Sequence, residues 1–143
     1  MKSVSDVLKG KGGEVSCISP VTTVFEAITL MAEKEIGALL VMEGDVLLGI
    51  LTERDYARKI IILGKSSRET SVQEIMTSKV MVVNPGVSVD ECLAIMTEKH
   101  VRHLPVVEHG KVVGIVSIGD AVKAIISDQH FTISNLVNYI MGS

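Results

Sequence analysis

Apolar and polar positions along the chain follow one order of periods, and that order occurs twice. Residues 15–18 and 80–83 are short β-branched runs, each followed two positions later by proline (Pro20, Pro85), and each predicts a short strand. Thr23-x-x-Glu26 and Ser88-x-x-Glu91 have the form of capping boxes that open helices. Val24, Ile28 and Met31 then recur at helical spacing, as do Val89, Leu93 and Met96. Residues 39–42 and 104–107 read as strands. They turn through Glu43-Gly44-Asp45 or Glu108-His109-Gly110 into 46–51 or 112–116, the spacing of a hairpin. A last helix is predicted near Asp55 in one copy and near Asp120 in the other.

The two copies keep one register. Pro20 falls on Pro85, Met31 on Met96, Gly49-Ile50 on Gly114-Ile115 and Asp55 on Asp120, with no gap between 15–58 and 80–123. Upstream, Ser3-Val4-Ser5-Asp6-Val7-Leu8 resembles Ser71-Val72-Gln73-Glu74-Ile75-Met76 at a slightly longer offset. Lys9-Gly10-Lys11-Gly12-Gly13 absorbs the difference and reads as a flexible stretch by composition. A copy of about 55 residues has a marginal core of its own, so the two are expected to pack together. The expected fold class is α/β, two β-α-β-β-α repeats with internal pseudo-twofold symmetry. The boundaries are 3–65 for the first motif, 71–127 for the second and 128–143 for a C-terminal helix. In that helix Ile133, Leu136, Val137, Ile140 and Met141 trace one face, with Ser134 a candidate cap.

Composition narrows the function more than the fold. Of 143 residues, 47% are apolar and 22% charged, which excludes a disordered chain. A net charge of −3 argues against a nucleic-acid or acidic-membrane binder, since both need a basic face. The apolar runs are too short to span a membrane and the first residues lack a signal peptide, so a cytoplasmic protein is expected. Cys17 and Cys92 make no disulfide framework and read as buried, inert thiols. His100, His103, His109 and His130 lack metal-ligand spacing, and no nucleophile elbow is present, so neither a metal nor a catalytic residue is expected. Gly64-Lys65-Ser66 resembles the tail of a phosphate-binding loop, but Lys59 stands where that loop needs its first glycine. The segment reads as a solvated linker.

One element invites a ligand. Gly49-Ile50-Leu51-Thr52-Glu53-Arg54-Asp55 and Gly114-Ile115-Val116-Ser117-Ile118-Gly119-Asp120 share the form Gly-h-h-Thr/Ser-x-x-Asp, where h is apolar, and each sits where a strand runs into a helix. One reading is a helix cap with an acidic third residue. The other is a nucleotide site, in which hydroxyl and helix amides meet phosphate while the carboxylate accepts both ribose hydroxyls.

The tandem copies, the strand-Pro-helix opening and the paired Gly-h-h-Thr/Ser-x-x-Asp resemble the cystathionine-β-synthase (CBS) domain family. His100-Val101-Arg102-His103-Leu104-Pro105-Val106-Val107 is similar to that family's other recurring segment, and the resemblance runs from Val4 to about Ile126. It implies a Bateman module: a non-enzymatic regulatory pair binding AMP, ADP, ATP, NAD or S-adenosylmethionine, usually as a homodimer. The resemblance implies one cleft built from Ile50, Thr52, Arg54 and Asp55 with Val82, Val83, Arg102, His103 and Pro105. It implies a second from Ile115, Ser117 and Asp120 with Cys17, Ile18, Gly37 and Ala38. The first copy reads Ile36-Gly37-Ala38-Leu39-Leu40 where the second has Val101-Arg102-His103-Leu104-Pro105. The second cleft is therefore expected to lack Arg and His, and the repeat alignment offers it Lys123 as its nearest basic residue. The alternative function is a structural adaptor whose clefts are vestigial.

Overall fold

The computed structural model describes residues 2–128. The C-terminal helix expected from the periodicity lies, beyond residue 128, outside the described residues. The elements in order are α1 (Val4–Lys11), β1 (Cys17–Ile18), α2 (Val24–Lys34), β2 (Ala38–Glu43), β3 (Val46–Thr52) and α3 (Glu53–Tyr56). A π-helical turn (Ala57–Ile61), a 3-10 turn (Val72–Glu74), α4 (Val89–Lys99), β4 (His103–Glu108), β5 (Lys111–Ser117) and α5 (118–128) follow. The mixed α/β class is that predicted from the periodicity, and so is the repeated order of elements except for the first strand of the second copy.

The chain forms two compact units, and each takes its opening segment from the other copy's stretch of sequence. One unit is Glu14–Met81 with His109–Val112; the other joins the described residues up to Gly13, Val82–Glu108 and those from Val113 on. In the first unit β1 pairs parallel to β2 and β2 antiparallel to β3, with an irregularity between Val41 and Met42. Val24, Ala27 and Met31 of α2 close over Leu39, Val41 and Leu51, with Ile60, Val72 and Ile75 completing the core. Each of these Val, Leu, Ile and Met side chains contributes about 1.5–3 kcal/mol when fully buried. In the other unit Val4 of α1 joins Cys92 and Met96 of α4, Leu104 and Val106 of β4, and Val116 of β5.

The glycine of each Gly-h-h-Thr/Ser-x-x-Asp segment is where the opening segment packs. A Cβ on Gly49 would lie 2.7 Å from Met76 Sδ and 2.8 Å from the Thr77 carbonyl oxygen. A Cβ on Gly114 would lie 2.6 Å from a Leu8 methyl. Leu8 and Met76 are counterparts in the repeat, so the same contact is built twice.

Three expectations are corrected and one, the linker, is refined. The stretch from Lys9 to Gly13 is not a loose connector: α1 runs through Lys11. Ser3 and Asp6 close a capping box at its start, and Leu8 anchors its side against Gly114. The strand expected over 80–83 is reduced to one parallel bridge, Val83 to Val106, because the Asn84-Pro85-Gly86 turn follows at once. The segment 64–70 is exposed at Gly64, Lys65, Ser66, Arg68 and Glu69, as a solvated linker is, but it is also tied to α2. Carbonyls of Ser67 and Thr70 accept the first two amides of α2, Arg68 stacks 3.8 Å over the Phe25 ring, and Thr70 is buried. Finally, Cys92 is buried but Cys17 is exposed. Strand alternation sends Ile18 against the core and its neighbour Cys17 outward.

Candidate functional site

In the first unit β3 ends at Thr52, whose extended backbone makes it the N-cap of α3. Its hydroxyl oxygen accepts from Asp55 N–H at 3.1 Å. Asp55 Oδ2 in turn accepts from Thr52 N–H at 3.0 Å and from the Thr52 hydroxyl at 3.1 Å. The other oxygen, Oδ1, lies 3.3 Å from Lys59 Nζ, which also donates to the Ile75 carbonyl at 2.8 Å. Asp55 is thus held in one orientation with a side chain 12% exposed. The helix then widens: Ile62 N–H and Lys65 N–H reach back five residues, to the carbonyls of Ala57 and Ile60.

The other unit repeats the arrangement with different partners. Ser117 at the end of β5 accepts from Asp120 N–H at 3.1 Å, and Asp120 Oδ2 accepts from Ser117 N–H at 2.9 Å. Lys11 Nζ donates to the same Oδ2 at 2.6 Å and to the Ile115 carbonyl at 3.0 Å. Burial raises the Asp120 carboxyl, but the Lys11 ammonium and the Ser117 N–H outweigh it and hold the group below the usual carboxylate range.

Of the remaining candidates, Gly37 and Ala38 stand beside the helix of Asp55 and Arg102 and His103 beside that of Asp120, whereas the clefts implied by the resemblance paired Gly37 and Ala38 with Asp120 and Arg102 and His103 with Asp55. In the first unit the Gly37 carbonyl accepts from Glu53 N–H at 3.1 Å, so Gly37 and Ala38 stand at the opening of the helix carrying Asp55. Cys17 and Ile18 pair with Leu40 and Val41 in the neighbouring strand, and Ile50 is buried beside Thr52 along β3. In the other unit the Arg102 carbonyl accepts from Ile118 N–H at 2.8 Å, which sets Arg102 and His103 at the opening of α5, with His103 within electrostatic reach of Asp120. Val83 bonds to Pro105 and Val107 through its backbone and is buried, whereas Val82 is exposed. Arg54 and Ile115 lie inside the two Gly-h-h-Thr/Ser-x-x-Asp segments, on α3 and β5.

The basic residue nearest Asp120 that repeat alignment offers is Lys123; the structure supplies Lys11 instead. A signal for it existed in the sequence. At the offset that aligns the two opening segments, Lys11 falls on Lys79, but the glycine-rich composition around Lys11 masked a helix whose stability comes from packing on Gly114.

His103 sets a pH dependence. Burial pushes its imidazole below the ordinary value of 6.5; Asp120 opposes the shift, while Lys11 and Arg102 add to it. Below pH 6.5 the unfolded chain therefore binds a proton that the native imidazole resists, and stability falls as pH drops through that region. The capped carboxylates Asp6, Glu74 and Asp120 are all lowered, so their contribution is lost only at more acidic pH. Denaturant unfolding at pH 7.5 and 5.5 should show a loss in wild type that shrinks in His103→Gln. An equal loss in both would show that His103 is not its source.

Two copies of one supersecondary unit, each ending a strand in a capped aspartate at a helix start, define a tandem module. The CBS domain family matches residues 4–62 and 72–127, and the chain belongs to that family. It is 39% identical over 149 aligned positions to the CBS domain-containing protein CBSX3, mitochondrial, of Arabidopsis thaliana, covering 98% of this chain and 72% of that one. Among solved structures it resembles a protein with CBS domains from Burkholderia ambifaria MC40-6, at 51% identity and TM-score 0.86, covering 90% and 96% of the two chains. It also resembles the CBS domain pair of protein MJ0100 in complex with 5′-methylthioadenosine and S-adenosyl-L-methionine, at 25% identity and TM-score 0.79, covering 90% and 98%. No helix among the described residues is long and apolar enough to cross a membrane.

Proposed function

We propose that this chain is a non-enzymatic regulatory module that binds an adenosyl ligand through Asp55 and Asp120 and transmits its presence as a change in conformation. The observation that carries this reading is the duplicated pair of partly exposed carboxylates, each held rigidly beside a hydroxyl at a strand end. A carboxylate offers about four acceptor positions. Among the described residues two donors meet Asp120, both on Oδ2, which leaves Oδ1 for a vicinal diol, while Asp55 has three and would share Oδ1 between Lys59 and a ribose hydroxyl. The adenosyl ligands of the MJ0100 domain pair support the ligand class. Within it, AMP, ADP, ATP, NAD and S-adenosylmethionine all present the same ribose. The working form in this reading is a cytoplasmic homodimer. The contiguous exposed Ile61, Ile62 and Leu63 support self-association, as does the hexameric assembly of a cyanobacterial CBS-CP12 protein, a 28% identical neighbour. A ligand that binds one arrangement better than another shifts the population by its differential affinity.

A second reading has its own support. Both carboxylates already serve as helix caps and lysine partners, as they would in a structural adaptor with vestigial clefts. Thermal unfolding with AMP, ADP, ATP, NAD, NADH and S-adenosylmethionine separates the two. At a hundred times the dissociation constant, linkage gives about 2.7 kcal/mol of stabilisation, a midpoint rise of roughly 5–10 °C for a chain of this size. A rise with at least one compound is expected; no rise with any of them leaves the adaptor.

A further inference from the structure

Each of the two aspartates carries a lysine bridging it to a backbone carbonyl, yet the lysines are not repeat counterparts. Lys59 spans Asp55 Oδ1 and the Ile75 carbonyl. Its counterpart in the second copy is Ala124, which is buried in an apolar cluster with Val89 and Ala121, where an ammonium would be costly. Asp120 has Lys11 instead, from a different element and 109 residues away, spanning Asp120 Oδ2 and the Ile115 carbonyl. Both aspartates are thus neutralised by a lysine, but Lys59 meets the oxygen that the cap leaves free and Lys11 the one that already accepts from Ser117 N–H.

The route to Asp120 is built through packing. Val4 is buried in the core, Leu8 lies against Gly114, and Lys11 comes three residues later in the last turn of α1. Gly12 N–H closes the helix on the Leu8 carbonyl at 2.7 Å, and Gly13 follows with its Cα against the Val113 carbonyl, where a Cβ would come within 2.9 Å. The ammonium is therefore positioned from both sides of its own residue. An ammonium has three donors. Among the described residues two are used, on Ile115 and Asp120, and one remains.

We infer that Lys11 is the phosphate-recognising residue of the Asp120 site and makes that site prefer phosphorylated over neutral adenosyl compounds. The inference rests on the reading that Asp120 holds ribose. Asp120 alone would repel a phosphate drawn to the same site. Lys11 neutralises the carboxylate and offers its third N–H to the anion, with Arg102 and His103 at the opening of the same helix. A charge-assisted bond of this kind corresponds to roughly ten- to hundredfold in affinity.

The test is a pair of titrations of the full chain, with AMP and with adenosine, followed by the backbone amide NMR shifts of Thr52, Asp55, Ser117 and Asp120. It is run on wild type, Lys11→Met and the charge-retaining Lys11→Arg. In wild type AMP should bind tighter than adenosine. Lys11→Met should reduce that ratio about tenfold or more while adenosine still binds, and Lys11→Arg should restore most of it. An unchanged ratio in Lys11→Met overturns the role of Lys11 and leaves the adenosyl-binding reading intact. Loss of adenosine binding as well makes Lys11 a structural support and also overturns it. Shifts confined to Thr52 and Asp55 overturn it while preserving a ligand at the other aspartate. No shifts at either aspartate overturn the adenosyl reading itself.

Discussion

Gly49→Ala is expected to destabilise the protein by about 1–3 kcal/mol, the range for forcing volume into a packed interior. The new Cβ would meet not only the mobile Met76 sulfur at 2.7 Å but also the Thr77 carbonyl at 2.8 Å. That carbonyl accepts from Ile50 N–H at 3.0 Å, and Thr77 N–H donates back to the Ile50 carbonyl at 2.9 Å. Relieving the clash by moving backbone would therefore break a two-way bridge that fastens the second opening segment to β3. In Gly114→Ala the three atoms nearest the new Cβ all belong to the Leu8 side chain, the nearest a methyl at 2.6 Å, and a rotamer change can relieve part of that. It should cost less than Gly49→Ala in the same denaturant titration. Equal costs would mean that the backbone bridge does not constrain the first site.

Asp55→Ala should show two losses that separate experimentally. Without ligand, removing the capping carboxylate costs about 1 kcal/mol, because Thr52 N–H and the Lys59 ammonium both lose an acceptor. With an adenosyl ligand, the ribose hydroxyls lose a charged acceptor, and affinity should fall roughly ten- to hundredfold. Asp55→Asn serves as the control: it keeps an acceptor oxygen for the cap while removing the charge. A stability loss with unchanged ligand affinity would assign Asp55 to the cap alone and favour the adaptor.

Much of this was legible in the sequence because the repeat gave every pattern two chances to be seen. The helices that begin at Thr23 and Ser88 and the hairpins at Gly44 and Gly110 rest on local chemistry, hydroxyl caps and turn glycines, and all four are present. Helix ends were less legible. α2 and α4 stop at Glu35 and His100, non-glycine residues in the left-handed region with φ of 54° and 56°, so the usual glycine signal is missing. The long-range contacts were least legible. Nothing local in Lys9–Gly13 states that Leu8 lies on Gly114, and only that packing carries Lys11 to Asp120. The Thr52–Asp55 and Ser117–Asp120 pairs were legible at once, because a cap and a ribose acceptor call for the same residues at the same spacing. That shared spacing is also why the pattern by itself leaves both roles open.

The role of the two carboxylates is decided by isothermal titration of the adenosyl compound that gives the largest thermal shift, into wild type and into the Asp55→Ala/Asp120→Ala double variant. Saturable binding heat is expected in wild type and its loss in a double variant that still unfolds cooperatively. Equal binding by both proteins would contradict that role, because the ligand would then be held without either carboxylate.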